Sequence, residues 1–142
     1  MYTEAEMQEA CYLYLAGCGK YIEVEREVPF FSRSIDLVCR TAEDELTSVE
    51  LKLHDWKHAV RQAKDHSLGA DKAYICLPKR DTVPDNIRSV LAEEGIGLMM
   101  FDSDAGGQVY EVIPPPEGRF PAIPVFKKQM IKAMKWCAEH PV

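Results

Sequence analysis

The sequence predicts an α/β fold, a mixed central sheet flanked by helices. Three observations predict it. An N-terminal helical stretch is followed by three short strand patterns in succession, as in an antiparallel meander. Helical and strand patterns then alternate, as crossovers between parallel strands require. Two runs, 73–77 and 97–101, are apolar throughout, the composition of strands covered on both faces. The chain has 142 residues, 46% hydrophobic and 28% charged, enough to bury one core without staples.

Thr3 and Glu6 form a capping box ahead of Met7, Ala10, Cys11, Tyr14 and Cys18, which recur at helical spacing. Gly17 and Gly19 end that helix. Residues 20–28 alternate, with Ile22, Val24 and Val28 on one expected buried face and Pro29 as the stop. A second strand is expected over 34–40. After a polar turn at 41–45, a third covers 46–53, with Val49, Leu51 and Leu53 sharing a face.

Asp55 caps a helix to about residue 68, whose stripe is Trp56, Ala59, Val60 and Ala63. The strand at 73–77, a helix at 84–94, the strand at 97–101 and an edge strand at 109–113 follow. A last amphipathic helix spans 126–140. Residues 1–113 are expected to form the main domain. Residues 114–142 supply a proline-rich connection and the final helix, packed on the same domain.

The net charge of −6 hides an uneven distribution. Residues 51–80 carry 7 basic and 3 acidic groups, and residues 118–142 carry 5 and 1, each a net of +4. Two basic segments on an acidic chain permit a phosphate-binding face. The five cysteines show no Cys-x-x-Cys spacing; three sit inside apolar runs, as small buried hydrophobes would, and they read as structural thiols rather than metal ligands. No Gly-x-x-x-x-Gly-Lys-Ser/Thr or Gly-x-Ser-x-Gly element is present, which excludes a P-loop and a nucleophile elbow. The acidic N-terminus and the lack of a long apolar run lead to the expectation of a cytoplasmic protein away from membranes.

The chemistry concentrates where the second and third strands meet. Asp36 interrupts the apolar run Ile35-Asp-Leu-Val38, and Glu50 and Lys52 interrupt Val49-Glu-Leu-Lys-Leu53. Side chains alternate along a strand, so Glu50 and Lys52 point one way and Leu51 the other. If the strands pair, Asp36 lies beside Glu50. Two adjacent carboxylates repel unless a cation sits between them, and hard oxygen ligands suit Mg²⁺ or Mn²⁺. Lys52 would place a positive charge beside that ion.

Asp, a gap of 13 residues, then Glu-x-Lys, resembles the PD-(D/E)XK nuclease superfamily. The resemblance runs from the first helix through the strand at 73–77. It implies a restriction-endonuclease-like αβββαβ core, here with extra C-terminal strands and a helix. It implies a Mg²⁺- or Mn²⁺-dependent deoxyribonuclease leaving a 5′-phosphate. Asp36 and Glu50 match the metal-binding acids, with the Leu51 carbonyl as a further ligand, and Lys52 matches the catalytic lysine. Ser34-Ile35 stands where the name-giving proline would precede the aspartate. Many members add an acid from the first helix: Glu6 is the first choice, with Glu4 and Glu9 as alternatives. Gln62 resembles the glutamine of the resolvase-like and RecB-like branches.

Lys57, Arg61 and Lys64 fall on one helix face at i, i+4, i+7. With Arg33 they are candidates for contacts to DNA phosphates; RNA fits the same chemistry. A two-fold homodimer would set two such sites against two strands. The competing readings are a catalytically inactive module of the same fold, binding nucleic acid or protein, and a purely structural or regulatory protein.

Overall fold

A computed structural model describes residues 2–117 and 121–141. Residues 118–120 of the proline-rich connection, which include Arg119 of the basic C-terminal segment, lie outside the described residues. The order is α1 (Glu4–Gly17), β1 (Glu23–Phe30), β2 (Arg33–Arg40), β3 (Leu46–Leu51), α2 (Trp56–His66), β4 (Lys72–Pro78), α3 (Asp85–Glu94), β5 (Gly97–Asp102), a 3₁₀ turn (Ser103–Ala105), β6 (Gln108–Ile113) and α4 (Pro124–Glu139). Among the described residues the strands form one sheet, ordered β1-β2-β3-β4-β5-β6. β1, β2 and β3 pair antiparallel, β3, β4 and β5 parallel, and β6 returns antiparallel. No described helix is long and apolar enough to cross a membrane.

Helices cover both faces. On one, α1 sets Met7, Cys11 and Leu15 against Leu37, Cys39, Val49, Leu51, Tyr74, Cys76, Met99 and Phe101. Their four-residue spacing makes one stripe. On the other face, Ala59, Val60 and Ala63 of α2 and Ile87 and Leu91 of α3 pack on Ala73, Ile75, Leu77, Leu98 and Met100. Beside them Met130 and Met134 of α4 pack on Val28, Ile35, Val38 and Leu46. The result is a three-layer α/β/α domain.

β1 and β2 depart from simple alternation. Val24 faces the α1 core but Val28 faces the α4 core, although they share parity. Leu37 and Ile35 divide in the same way. Between the register pairs Arg26–Leu37 and Val28–Ile35, Glu27 stands at φ +50°, the left-handed region that a β-carbon disfavours. The two strands rotate here, and every side chain beyond changes face.

Two expectations about β1 are therefore corrected. Ile22 is 60% exposed, so Ile22, Val24 and Val28 form no common buried face. Pro29 does not end the strand, which runs to Phe30. β1 is an edge strand, where a residue without an N–H is tolerated.

Candidate active site

β3 puts Val49 and Leu51 into the α1 core and turns Glu50 toward α2, where it is 1% exposed. The β2–β3 register ends at Leu37–Val49. One step on, side chains take over from the ladder. The Asp36 N–H donates to Glu50 Oε1 at 3.3 Å, and the Leu51 N–H donates to Asp36 Oδ2 at 2.8 Å. Each carboxylate thus accepts from the other strand's backbone. On the far side of β3 the Lys52 N–H donates to Cys76 O at 3.2 Å, so the strand direction holds through Lys52.

Asp36, Glu50, Leu51, Lys52 and Gln62 line one cavity of about 240 Å³. Burial raises both carboxyls to about 7. For Asp36 the Glu50 charge adds to burial, and the Leu51 N–H opposes it. For Glu50, hydrogen bonds from Asp36 oppose burial, Glu27 raises the value further and Lys52 lowers it. Such a pair is uncomfortable when fully ionised and without a counter-cation.

Glu6 does not line the cavity. Its carboxylate accepts from the Thr3 N–H at 2.9 Å, closing the capping box. Glu9 pairs with Arg26 instead. The first-helix acid that does line the cavity is Glu4, with its Oε1 3.8 Å from Lys52 Nζ. Glu4 and Gln8 share the face of α1 turned to the site, as four-residue spacing dictates.

The basic candidates sit elsewhere. Lys57, Arg61 and Lys64 line a shallow hollow against Val90 and Glu94 of α3, not the acidic cavity. Lys64 Nζ pairs there with Glu94, at 2.7 Å. Arg33 is exposed at the start of β2.

Two cavity residues and one neighbour escaped the sequence. Glu27 lines the cavity opposite Asp36. Its carboxylate accepts from Gln8 Nε2 at 3.0 Å and from Ser34 Oγ at 2.8 Å. Gln8 Nε2 also donates to Asp36 O at 3.0 Å. Glu27 sits in a run of alternating glutamates that looks like any solvated edge strand, so no pattern marked it. His66, 2% exposed, brings Nδ1 within 3.0 Å of Glu50 Oε1. Its only signal was the i+4 spacing from Gln62.

The residues fit a hard divalent ion. Two carboxylates line one cavity side by side, and Gln62 Oε1 is buried there without a donor, an acceptor suited to an ordered water. Among the described residues no three His, Cys, Asp or Glu side chains form a metal-binding group. Asp36, Glu50 and the Leu51 carbonyl would have to be completed by waters, as suits Mg²⁺, which retains several.

No protein-family model matches the chain, and no curated protein matches it. Solved structures do. A protein of unknown function from Silicibacter pomeroyi, SPO1766, superposes with a TM-score of 0.70 at 16% identity, over 98% of this chain and 88% of that one. EndoMS in complex with double-stranded DNA superposes with a TM-score of 0.53 at 21% identity, over 81% of this chain and 46% of that one. The fold is restriction-endonuclease-like. Within that fold, the acids and the lysine stand at the open end of the meander, where β2 and β3 part.

Proposed function

We propose that the protein is a metal-dependent nuclease that hydrolyses phosphodiester bonds in DNA. The observation that carries this reading is the convergence of Asp36, Glu50 and Lys52 on one cavity. The likeness to a DNA-bound EndoMS structure supports it at the level of fold.

Asp36, Glu50 and the Leu51 carbonyl would hold Mg²⁺ or Mn²⁺, which supplies charge neutralisation at phosphorus and a more acidic bound water. Lys52 places its ammonium beside the acids, where it attracts a phosphate oxygen and stabilises charge that grows there. Glu4 restrains that ammonium from one side. Gln62 Oε1 accepts a hydrogen bond from the attacking water and orients it. Arg33, and the row Lys57, Arg61 and Lys64, lie outside the cavity and bind backbone phosphates on either side of the cut. The binding they provide is independent of sequence.

The test is a cleavage panel of duplex, nicked, branched and single-stranded DNA, and of RNA, with Mg²⁺ and with Mn²⁺. Wild-type protein should cut at least one DNA form, and Lys52→Ala should cut none. Full activity in Lys52→Ala would end this reading.

A non-catalytic binding module is the second reading. It is favoured by the fact that, among the described residues, no three His, Cys, Asp or Glu side chains form a group able to hold a metal. It predicts DNA binding unchanged by EDTA and no cleavage with Mn²⁺.

A further inference from the structure

Among the described residues three buried side-chain polar atoms have no hydrogen-bond partner: Ser48 Oγ, Gln62 Oε1 and His66 Nδ1. Buried polar atoms are normally satisfied, and an unsatisfied one calls for an explanation. All three belong to the interface of β3 with α2. Ser48 precedes Glu50 by two residues, on the same strand face. Gln62 and His66 are one helical turn apart on α2.

His66 is the closest of them to the acids. Its Nδ1 stands 3.0 Å from Glu50 Oε1, a hydrogen-bond separation, without completing a hydrogen bond in this geometry. Phe30 meets the imidazole edge-on, with centroids 6.3 Å apart. The same Oε1 takes the Asp36 N–H at a long 3.3 Å. The Asp36 N–H and the His66 Nδ1 thus stand at the same oxygen of Glu50.

We propose that His66 is a positioning residue for Glu50: its Nδ1–H holds Oε1 and aims Oε2 at the ion site. A small turn of ring or carboxylate completes the bond. The outer partner of a metal ligand fixes its orientation, and its loss typically costs about 10–100-fold in metal affinity or activity. The proposal rests on Glu50 being a ligand, and its test separates the two ideas.

The first arm needs no metal. ¹⁵N NMR of metal-free protein at pH 7 should show His66 as the Nδ1–H tautomer, and Glu50→Leu should change that signal. The Nε2–H tautomer in wild type would overturn the proposal. The second arm is Mn²⁺ titration by calorimetry. His66→Leu should weaken binding about 10–100-fold while keeping its melting temperature. His66→Asn, whose amide nitrogen stands near the Nδ1 position, should recover most of the loss. Equal Mn²⁺ affinity in His66→Leu and wild type, or no recovery in His66→Asn, would overturn the proposal. Wild-type protein that binds no Mn²⁺ but carries the Nδ1–H tautomer would sink the ion site and leave the His66–Glu50 contact standing.

Discussion

Ile35 and Leu37 are two residues apart on β2 and pack into opposite cores, and the residue between them is Asp36. A strand cannot do this without rotating. The rotation is matched in β1 at Glu27, whose φ is +50°. The acid therefore sits where the sheet changes hands, with its carboxylate free of both cores.

That geometry has an energetic signature at Glu27. In an ordinary strand, alanine is more stabilising than glycine by about 0.5–1 kcal/mol. At a left-handed position the β-carbon itself costs about 1–2 kcal/mol. Glu27→Gly should therefore be more stable than Glu27→Ala, by about 1 kcal/mol. Urea denaturation of the two variants checks the sign, and an alanine variant as stable as the glycine one would refute the strain.

The carboxyl pair links the ion to pH. Both groups are raised to about 7, so between about pH 4 and 7 the folded chain holds more protons than the unfolded one. Stability contributed by these groups is lost as pH rises through that window. His66 runs the other way and costs stability as pH falls from 6.5 toward 4. A divalent ion competes with the carboxyl protons. Its affinity should rise steeply from pH 5 to about 7 and flatten above. Calorimetry in buffers of different ionisation enthalpy should find proton release at pH 6 and little at pH 8.

Neutral isosteres should separate stability from activity. Asp36→Asn and Glu50→Gln remove the repulsion within the pair while retaining shape. Each should abolish cleavage and raise the melting temperature of the ion-free protein by about 4 °C, the equivalent of about 1 kcal/mol in a chain of this size. A melting scan in EDTA decides it, and a fall in both variants would mean that the pair stabilises the fold.

The basic row on α2 should act unequally. Lys64 is already paired with Glu94 at 2.7 Å, whereas no such ion pair within 4 Å engages Lys57 or Arg61 among those described. Arg61→Ala should weaken DNA binding and lower the salt-dependence slope by about one phosphate contact. Lys64→Ala should do much less. Fluorescence anisotropy across a salt series distinguishes them.

Much of this was legible in the sequence. Helical and strand periodicity located the elements, because apolar burial follows the 3.6- and 2-residue repeats directly. Asp36, Glu50 and Lys52 stood out as charges inside apolar strands. Glu6 is placed in the capping box and outside the cavity, because the pattern Thr-x-x-Glu serves capping as well as an active site. Glu27 was illegible because its importance comes from a backbone twist that local composition does not encode. His66 was illegible because only the crossover from β3 through α2 brings it to Glu50.

The twist at Glu27 also shapes what can happen along the outer margin of β1. A strand from another molecule adds to a sheet by matching a regular row of amide hydrogens and carbonyls. On β1 that row is broken by the rotation at Glu27 and again by Pro29, which has no amide hydrogen to offer. The kink that brings a carboxylate toward Asp36 thus makes this border a poor template for intermolecular pairing.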